Sequence, residues 1–347
     1  MKAIVKTREG KGFLELQDVK RPKPERNEVI IKIKAAGICG TDMHIRDGSF
    51  YSIPPVIIGH EFSGEIVELG PDVSGYSVGD RVVAEPHRGG CGQCEFCRTG
   101  AVEMCRQKRA LGYKEDGVFT SYTNLPATSL HRIPDSVTFE EAALTEPLAV
   151  AVKAVFERSG LEAEDFVVVL GCGPIGMLAA AAAKADGARA VMITGTNQDE
   201  GLRLPAARKL GIDYVANVQK DDVNKMIMDL TGGKGADVVI EASGAEPAIK
   251  QAMEVVKING RVCSIGITGR ETIAMPYDRA LLKSVTLSWS MSTNWLSWER
   301  ALSMLGNGKV DVKNLVTHTF QLEEYEKAFE LLEDLKAIKI ILYPNEK

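Results

Sequence analysis

Apolar and polar positions alternate in short runs from residue 1 to about 150, broken repeatedly by Gly and Pro. "VIIKIKAAGIC" (29–39), "FSGEIVELG" (62–70) and "GDRVVAE" (79–85) each alternate as half-buried strands do. Turn signals such as "RPKPERNE" and "SIPP" separate them. This pattern predicts a small, irregular β-barrel or sandwich. Near residue 150 the pattern changes. "FVVVLG" (166–171) is a continuous apolar run, typical of a strand buried on both faces. The helical "PIGMLAAAAAKADGA" follows, then a strand "AVMITG" (190–195) and a helical "LRLPAARKLG" with Pro205 at or near its first turn. "YVANV", a helix over about 221–231, "ADVVIEASG", another helix and "GRVCSIG" complete the series. Strands alternating with helices predict a doubly wound parallel sheet.

The rhythm changes again near residue 285. "VTLSWS" reads as the last strand of the sheet, and "WLSWERALSMLGNGK" and "LEEYEKAFELLED" as amphipathic helices. The terminal "AIKIILYP" reads as a strand that rejoins the first domain. The expected organisation is therefore 1–150, 151–290, and a segment 291–347 returning to the first domain. A length of 347 residues suits two domains.

Charge and composition narrow the classes. The net charge is -5 with no basic stripe, which argues against nucleic acid as a partner. No apolar run is long enough to span a membrane, and the opening "MKAIVKTREG" lacks an apolar signal core. A cytoplasmic protein is expected. Seven cysteines then point to metal or catalysis rather than disulfides.

Four of them, Cys91, Cys94, Cys97 and Cys105, form C-x2-C-x2-C-x7-C. Two-residue spacings let sulfurs converge tetrahedrally on Zn2+. An iron–sulfur cluster also takes four thiolates, whereas a redox pair explains only two. Four thiolates leave no open position, so this zinc is expected to be structural and the chemistry to lie elsewhere. Candidates are Cys39, Thr41, Asp42 and His44 in "AGICGTDMHI", His60 and Glu61 in "IGHEFSG", and Glu146 in "TEPLAV". Together they offer one S, one N and one or two O donors, a mixed set suited to a catalytic zinc with a free position.

"VVVLGCGPIG" places Gly171, Gly173 and Gly176 as G-x-G-x-x-G between an apolar strand and a helix. That context is the one a dinucleotide pyrophosphate needs. Gly171 permits the turn, Gly173 admits the phosphates, Gly176 allows close packing, and Pro174 and Ile175 open the helix whose N-terminus faces them. Cys172 is expected to be a small buried filler. The acid that usually grips the adenosine ribose is absent at the end of the second strand. Gly195 and Thr196 stand there, so NAD and NADP both remain open. Arg203 is the nearest Arg, and Asp199 or Glu200 could instead curl back to the ribose. Ser243 and Gly244, with Ile265 and Gly266, end strands at the ligand edge of such a sheet and are expected to line the nicotinamide side.

Taken in order, "GHEFSGEIVELG", "GDRVV", the four-cysteine loop, "LGCGPIG" and "IEASG" resemble the zinc-containing medium-chain alcohol dehydrogenases over essentially the whole chain. The resemblance implies an α/β plus β architecture, with a GroES-like β-barrel catalytic domain, a Rossmann cofactor domain and an active site in the cleft between them. Glu146 in "TEP" is similar to the sorbitol (L-iditol) dehydrogenase branch. By resemblance Cys39, His60 and Glu61 bind the catalytic zinc, and Glu146 binds it directly or through its water.

The implied reaction is reversible oxidation of a secondary alcohol of a polyol, with hydride passing to NAD or NADP. Thr41 would take the proton first and His44 would receive it through the nicotinamide ribose. Asp42 is the expected partner of His60, and Lys339 is a candidate phosphate contact. His87, His131 and His318 are expected to be structural. L-threonine 3-dehydrogenase is the rival activity, and a non-catalytic zinc-binding relative the rival class. A homotetramer or homodimer is implied, and an exposed strand near 285–290 could pair across its interface.

Overall fold

Among the described residues, sixteen strands form because the alternating and continuous apolar runs find partners at three sheets. The computed structural model describes residues 1–344. In chain order the strands are β1 (Lys2–Lys6), β2 (Leu14–Asp18), β3 (Glu28–Gly37), β4 (Val56–Ile57), β5 (Glu61–Leu69), β6 (Arg81–Ala84), β7 (Tyr122–Pro126) and β8 (Leu130–Arg132). Then come β9 (Phe166–Leu170), β10 (Ala190–Gly195), β11 (Tyr214–Asn217), β12 (Ala236–Glu241), β13 (Val256–Ser264) and β14 (Thr286–Trp289). The last two are β15 (Val316–Gln321) and β16 (Lys339–Tyr343).

Two compact units result. The first comprises Met1–Glu146, Thr293–Gly306 and Val316–Lys347; the second comprises Pro147–Ser292 and Asn307–Leu315. The segment after residue 290 thus supplies the helix Trp295–Gly306 and the strands β15 and β16 to the first unit, while residues 307–315 belong to the second.

In the first unit, a seven-stranded sheet runs β15-β16-β3-β5-β6-β8, with β7 also pairing β3. β3 is its hub, antiparallel to β5, β7 and β16. Its apolar side chains join Phe62, Ile66, Phe119, Leu125 and Ile340 in one buried cluster. The expected terminal strand is β16, and it lies against the end of β3 with Ile341 opposite Gly37. A smaller sheet, β2-β1-β4, packs beside it. Neither this sheet nor β15 was expected from the apolar pattern.

The second unit holds six strands in the order β11-β10-β9-β12-β13-β14, every pair parallel. β9 is wholly buried, as a central parallel strand must be. The chain reverses direction across the sheet between β9 and β12, and the crevice at such a switch point is where open α/β sheets bind ligands. This is the doubly wound Rossmann arrangement anticipated from the strand–helix rhythm, and its last strand is β14. No helix among the described residues is long and apolar enough to cross a membrane.

One buried cation anchors the helix Gly40–Asp47, which carries Thr41 and His44. Lys6 is 1% exposed, and its ammonium donates to the carbonyls of Gly10, Gly12 and Arg46. Replacing it would leave three partly buried carbonyl acceptors without their shared donor. The variant Lys6→Met is expected to lose roughly 1–3 kcal/mol of stability, read as a lower thermal midpoint. An unchanged midpoint would contradict this reading.

Candidate functional site

The four-cysteine loop is assembled locally. Cys94 caps the short helix Glu95–Arg98, its sulfur accepting from the Cys97 amide at 3.5 Å. The amides of Cys94 and Cys91 likewise donate to the sulfurs of Cys91 and Cys105, both at 3.4 Å. One sulfur from each of the four residues lies within 4.8 Å of the others. A Cβ at Gly90 would stand 2.7 Å from the Cys97 sulfur, so the loop needs glycine there. Backbone amides pull Cys91 down to about 6, while burial pushes Cys97 up to about 12. Amides aimed at sulfur favour thiolate, and four converging thiolates fit a closed tetrahedral zinc.

The second group is assembled from distant segments. Cys39 precedes the helix Gly40–Asp47, and His60 immediately precedes β5, whose first residue is Glu61. One ligand atom from each of Cys39, His60 and Glu61 lies within 4.8 Å of the others. Asp42, wholly buried, accepts from the Cys39 amide at 2.9 Å and directs its other oxygen toward His60 Nδ1 at 3.6 Å. Burial opposes a charge on His60, but Asp42 and Cys39 hold its imidazolium well above the usual range. Neither Asp42 Oδ1 nor His60 Nδ1 has a hydrogen-bond partner among the described residues. An imidazole oriented by a carboxylate beside a thiol and a second carboxylate is a donor set that fits zinc.

Glu61 is engaged from its other side. Both of its oxygens accept from Lys339, at 2.7 and 2.5 Å, and Lys339 also donates to the Ile38 carbonyl at 3.0 Å. A side chain at Gly37 would collide with the Glu61 carboxylate at 2.4 Å. This corrects the expectation for Lys339. It is 3% exposed and paired inside the barrel because β16 docks on β3, so its ammonium is not free for a phosphate. Burial works against its charge, and Glu61 more than offsets it.

Glu146, in the first turn of the helix Thr145–Val152, stands outside the compact three-residue group but within its field. Burial pushes its carboxyl up to about 7; His60 and Lys339 oppose the rise, and Glu61 and Asp42 add to it. Thr41 Oγ1 lies 3.8 Å from the Cys39 sulfur. His44, three residues on and therefore on the same helix face, is exposed, with Nδ1 3.3 Å from Ser49 Oγ.

Two residues escaped the sequence reading. Tyr113 feels the charge of His60 and meets Phe50 edge-on at 5.3 Å, placing an aromatic pair beside the metal ligands. Both sit in loops without periodic pattern, so no local signal marks them. His131 serves structure, as expected: it lies between Trp295 and Trp298, with Nδ1 2.5 Å from Glu299.

In the second unit the glycine turn closes β9. Gly171 has φ +107°, a conformation that favours glycine, and Gly173 caps the helix Pro174–Ala185 with open space where its side chain would be. A Cβ at Gly176 would lie 1.9 Å from the Gly171 carbonyl oxygen. Ile175 follows Pro174 in the helix's first turn. Cys172 is 2% exposed and pushed up to about 12 by burial, which makes it a filler. Its sulfur fills the space beside Gly195.

The two acids of the loop after β10 both have partners, Asp199 buried and Glu200 exposed. Asp199 accepts from the Thr196 amide and hydroxyl at 2.8 and 2.9 Å and from Arg203 at 3.3 Å. Glu200 is held by Asn217 and Lys220.

Two family profiles match the chain. That of the "Alcohol dehydrogenase GroES-like domain" covers residues 25–135, and that of the "Zinc-binding dehydrogenase" covers residues 174–307. The sorbitol dehydrogenase of Halalkalibacterium halodurans is 41% identical over 344 residues, spanning 99% of both chains. The chain belongs to the zinc-binding alcohol dehydrogenase family. An L-threonine 3-dehydrogenase of Pyrococcus horikoshii is 38% identical over 348 residues, spanning 98% of both chains. Among solved structures, a zinc-binding dehydrogenase of Sinorhizobium meliloti 1021 bound to NADP superposes with TM-score 0.91 at 29% identity, covering 99% of each chain. As a member of this family the chain is an oxidoreductase, and the family is the one its motifs resemble.

The raised carboxyl of Glu146 has a sign that can be tested. With a folded value of about 7 against an ordinary 4.5, Glu146 adds stability below pH 4.5, which is lost as pH rises through 7. Zinc-free protein should therefore lose thermal stability across that window. Glu146→Gln should flatten the loss by roughly 1–3 kcal/mol. Identical pH slopes in the two proteins would contradict the assignment.

Proposed function

We propose that this dehydrogenase oxidises a secondary hydroxyl of a polyol, of the sorbitol or L-iditol type, to a ketone, using zinc and NAD(P). The observation that carries the reading is the Cys39–His60–Glu61 group with Glu146 in its field, a mixed donor set that leaves a position for substrate. Bound zinc would supply Lewis-acid polarisation of the substrate hydroxyl, and bound NAD(P)+ would accept the hydride.

The chain's own residues hold and drain the site. Cys39 and His60 would hold the metal, and Asp42 faces His60 Nδ1, leaving Nε2 as the ligand atom. Glu61 is the third donor, shared with Lys339. Thr41, beside Cys39, can accept a proton and donate its own. His44, exposed on the same helix face, can pass that proton to solvent. Phe50 and Tyr113 would exclude water on one side.

In the cofactor unit, Gly171, Gly173, Pro174, Ile175 and Gly176 would receive the pyrophosphate, and Gly195 and Thr196 the adenosine ribose. Ser243, Gly244, Ile265 and Gly266 would line the nicotinamide side. Asp199 is engaged by Thr196 and Arg203, and Glu200 by Asn217 and Lys220, so a cation partly offsets each carboxylate, which supports acceptance of NADP as well as NAD.

Cys91, Cys94, Cys97 and Cys105 would hold the structural zinc. Seven cysteines without a disulfide support a reducing, cytoplasmic setting. The open edge strand β14, with Trp289 64% exposed, supports pairing in a homodimer or homotetramer. The 38% identity to an L-threonine 3-dehydrogenase favours L-threonine as the rival substrate.

Absorbance at 340 nm, followed with D-sorbitol or L-threonine and with NAD+ or NADP+, tests the reading. Reduction is expected with D-sorbitol, at rates for the two dinucleotides within about ten-fold of each other. Reduction with L-threonine alone would replace the polyol reading. A strict requirement for NAD+ would overturn the account of the loop after β10.

A further inference from the structure

Strand β12 ends in Glu241, a carboxylate that none of the expected chemistry uses. It is 1% exposed, and no ion pair among the described residues reaches it. A buried carboxylate persists only where hydrogen bonds replace water. Here they are all neutral. Oε1 accepts from the Ser243 amide at 2.8 Å, the Ser243 hydroxyl at 2.6 Å and the Gly244 amide at 2.9 Å. Oε2 accepts from the Ser264 hydroxyl at 3.3 Å. The main-chain oxygen of Glu241 takes the amides of Ile265 and Gly266 at 2.8 and 3.1 Å.

One residue therefore closes the turns after both β12 and β13. These turns are packed without spare room. A Cβ at Gly266 would lie 2.1 Å from the Gly244 amide and 2.7 Å from Glu241 Oε2, and one at Gly171 would lie 2.9 Å from Ser243 Cβ. The ends of β9, β12 and β13 thus form one junction with a carboxylate at its centre. Its donors screen the charge locally but do not cancel it, and a fixed charge in a low-dielectric surround acts over several ångströms. The oxidised nicotinamide ring is a cation, whereas the reduced ring is neutral.

We propose that Glu241 is the positioning residue of the nicotinamide half-site, and that its negative charge weights the site toward the oxidised cofactor. The inference rests on the reading that Ser243, Gly244, Ile265 and Gly266 line that half-site.

The test compares wild type, Glu241→Gln and Glu241→Ala. Dissociation constants are measured for the oxidised and reduced forms of whichever dinucleotide the wild type binds more tightly. ADP-ribose, or its 2′-phosphate for an NADP binder, is the control lacking the nicotinamide. Gln keeps an acceptor for the three donors and turns an amide toward the Ser264 hydroxyl, which can accept it. Glu241→Gln should leave control affinity and thermal midpoint unchanged, while the ratio of oxidised to reduced Kd rises roughly three- to ten-fold. Glu241→Ala should weaken both dinucleotide forms and spare the control. An unchanged ratio in Glu241→Gln overturns the proposal, as does a parallel loss of control affinity, which marks a merely structural role. Wild type that binds the control but neither intact dinucleotide overturns the assignment of the turns, and the proposal with it.

Discussion

The metal-site geometry depends on one buried ion pair, Glu61 with Lys339. The two residues are 278 positions apart, yet both Glu61 oxygens meet the same ammonium. Burying both charges carries a desolvation cost that only close geometry and further hydrogen bonds offset. The Ile38 carbonyl supplies one such bond, and the absence of a side chain at Gly37 makes room for the carboxylate. The pair forms because β16 docks on β3, which carries Lys339 to a carboxylate 278 positions away and leaves neither Glu61 oxygen unpartnered.

The two candidate zinc sites differ in how their electrostatics are built. Around the four cysteines, nearby backbone amides stabilise sulfur charge, and every ligand comes from residues 91–105. Around Cys39, His60 and Glu61, the stabilisation comes from side chains brought in by β3, β5, the helix Gly40–Asp47 and β16. Four thiolates on one zinc would hold a loop and leave no coordination position. The second site gathers Asp42, Glu146 and Lys339 around a mixed donor set, where burial and neighbouring charge shift protonation. Such a site can respond to a substrate hydroxyl, and a closed thiolate cage cannot.

This division matches what was legible in the chain. The cysteine spacing, the glycine turn and the alternation of strands and helices are local patterns, and each predicted element or cluster is present. The mixed donor set could be assembled from "AGICGTDMHI", "IGHEFSG" and "TEPLAV" only as a collection, without relative positions. Lys339 was misjudged because its partner is fixed by β16 docking on β3, a register no local window contains. For Asp199 and Glu200 the sequence left the ribose contact open, and the structure adds their partners Thr196, Arg203, Asn217 and Lys220. Tyr113 and Phe50 lie in aperiodic loops, and only tertiary proximity to His60 marks them.

Metal content tests the central claim most directly. Zinc should be measured by elemental analysis in wild type and in His60→Ala, alongside circular dichroism and turnover. About two zinc ions per chain are expected in wild type and about one in His60→Ala, with the fold retained and hydride transfer abolished. A variant that keeps both ions, or that loses one and still turns over, would contradict the assignment of Cys39, His60 and Glu61 as the reaction centre.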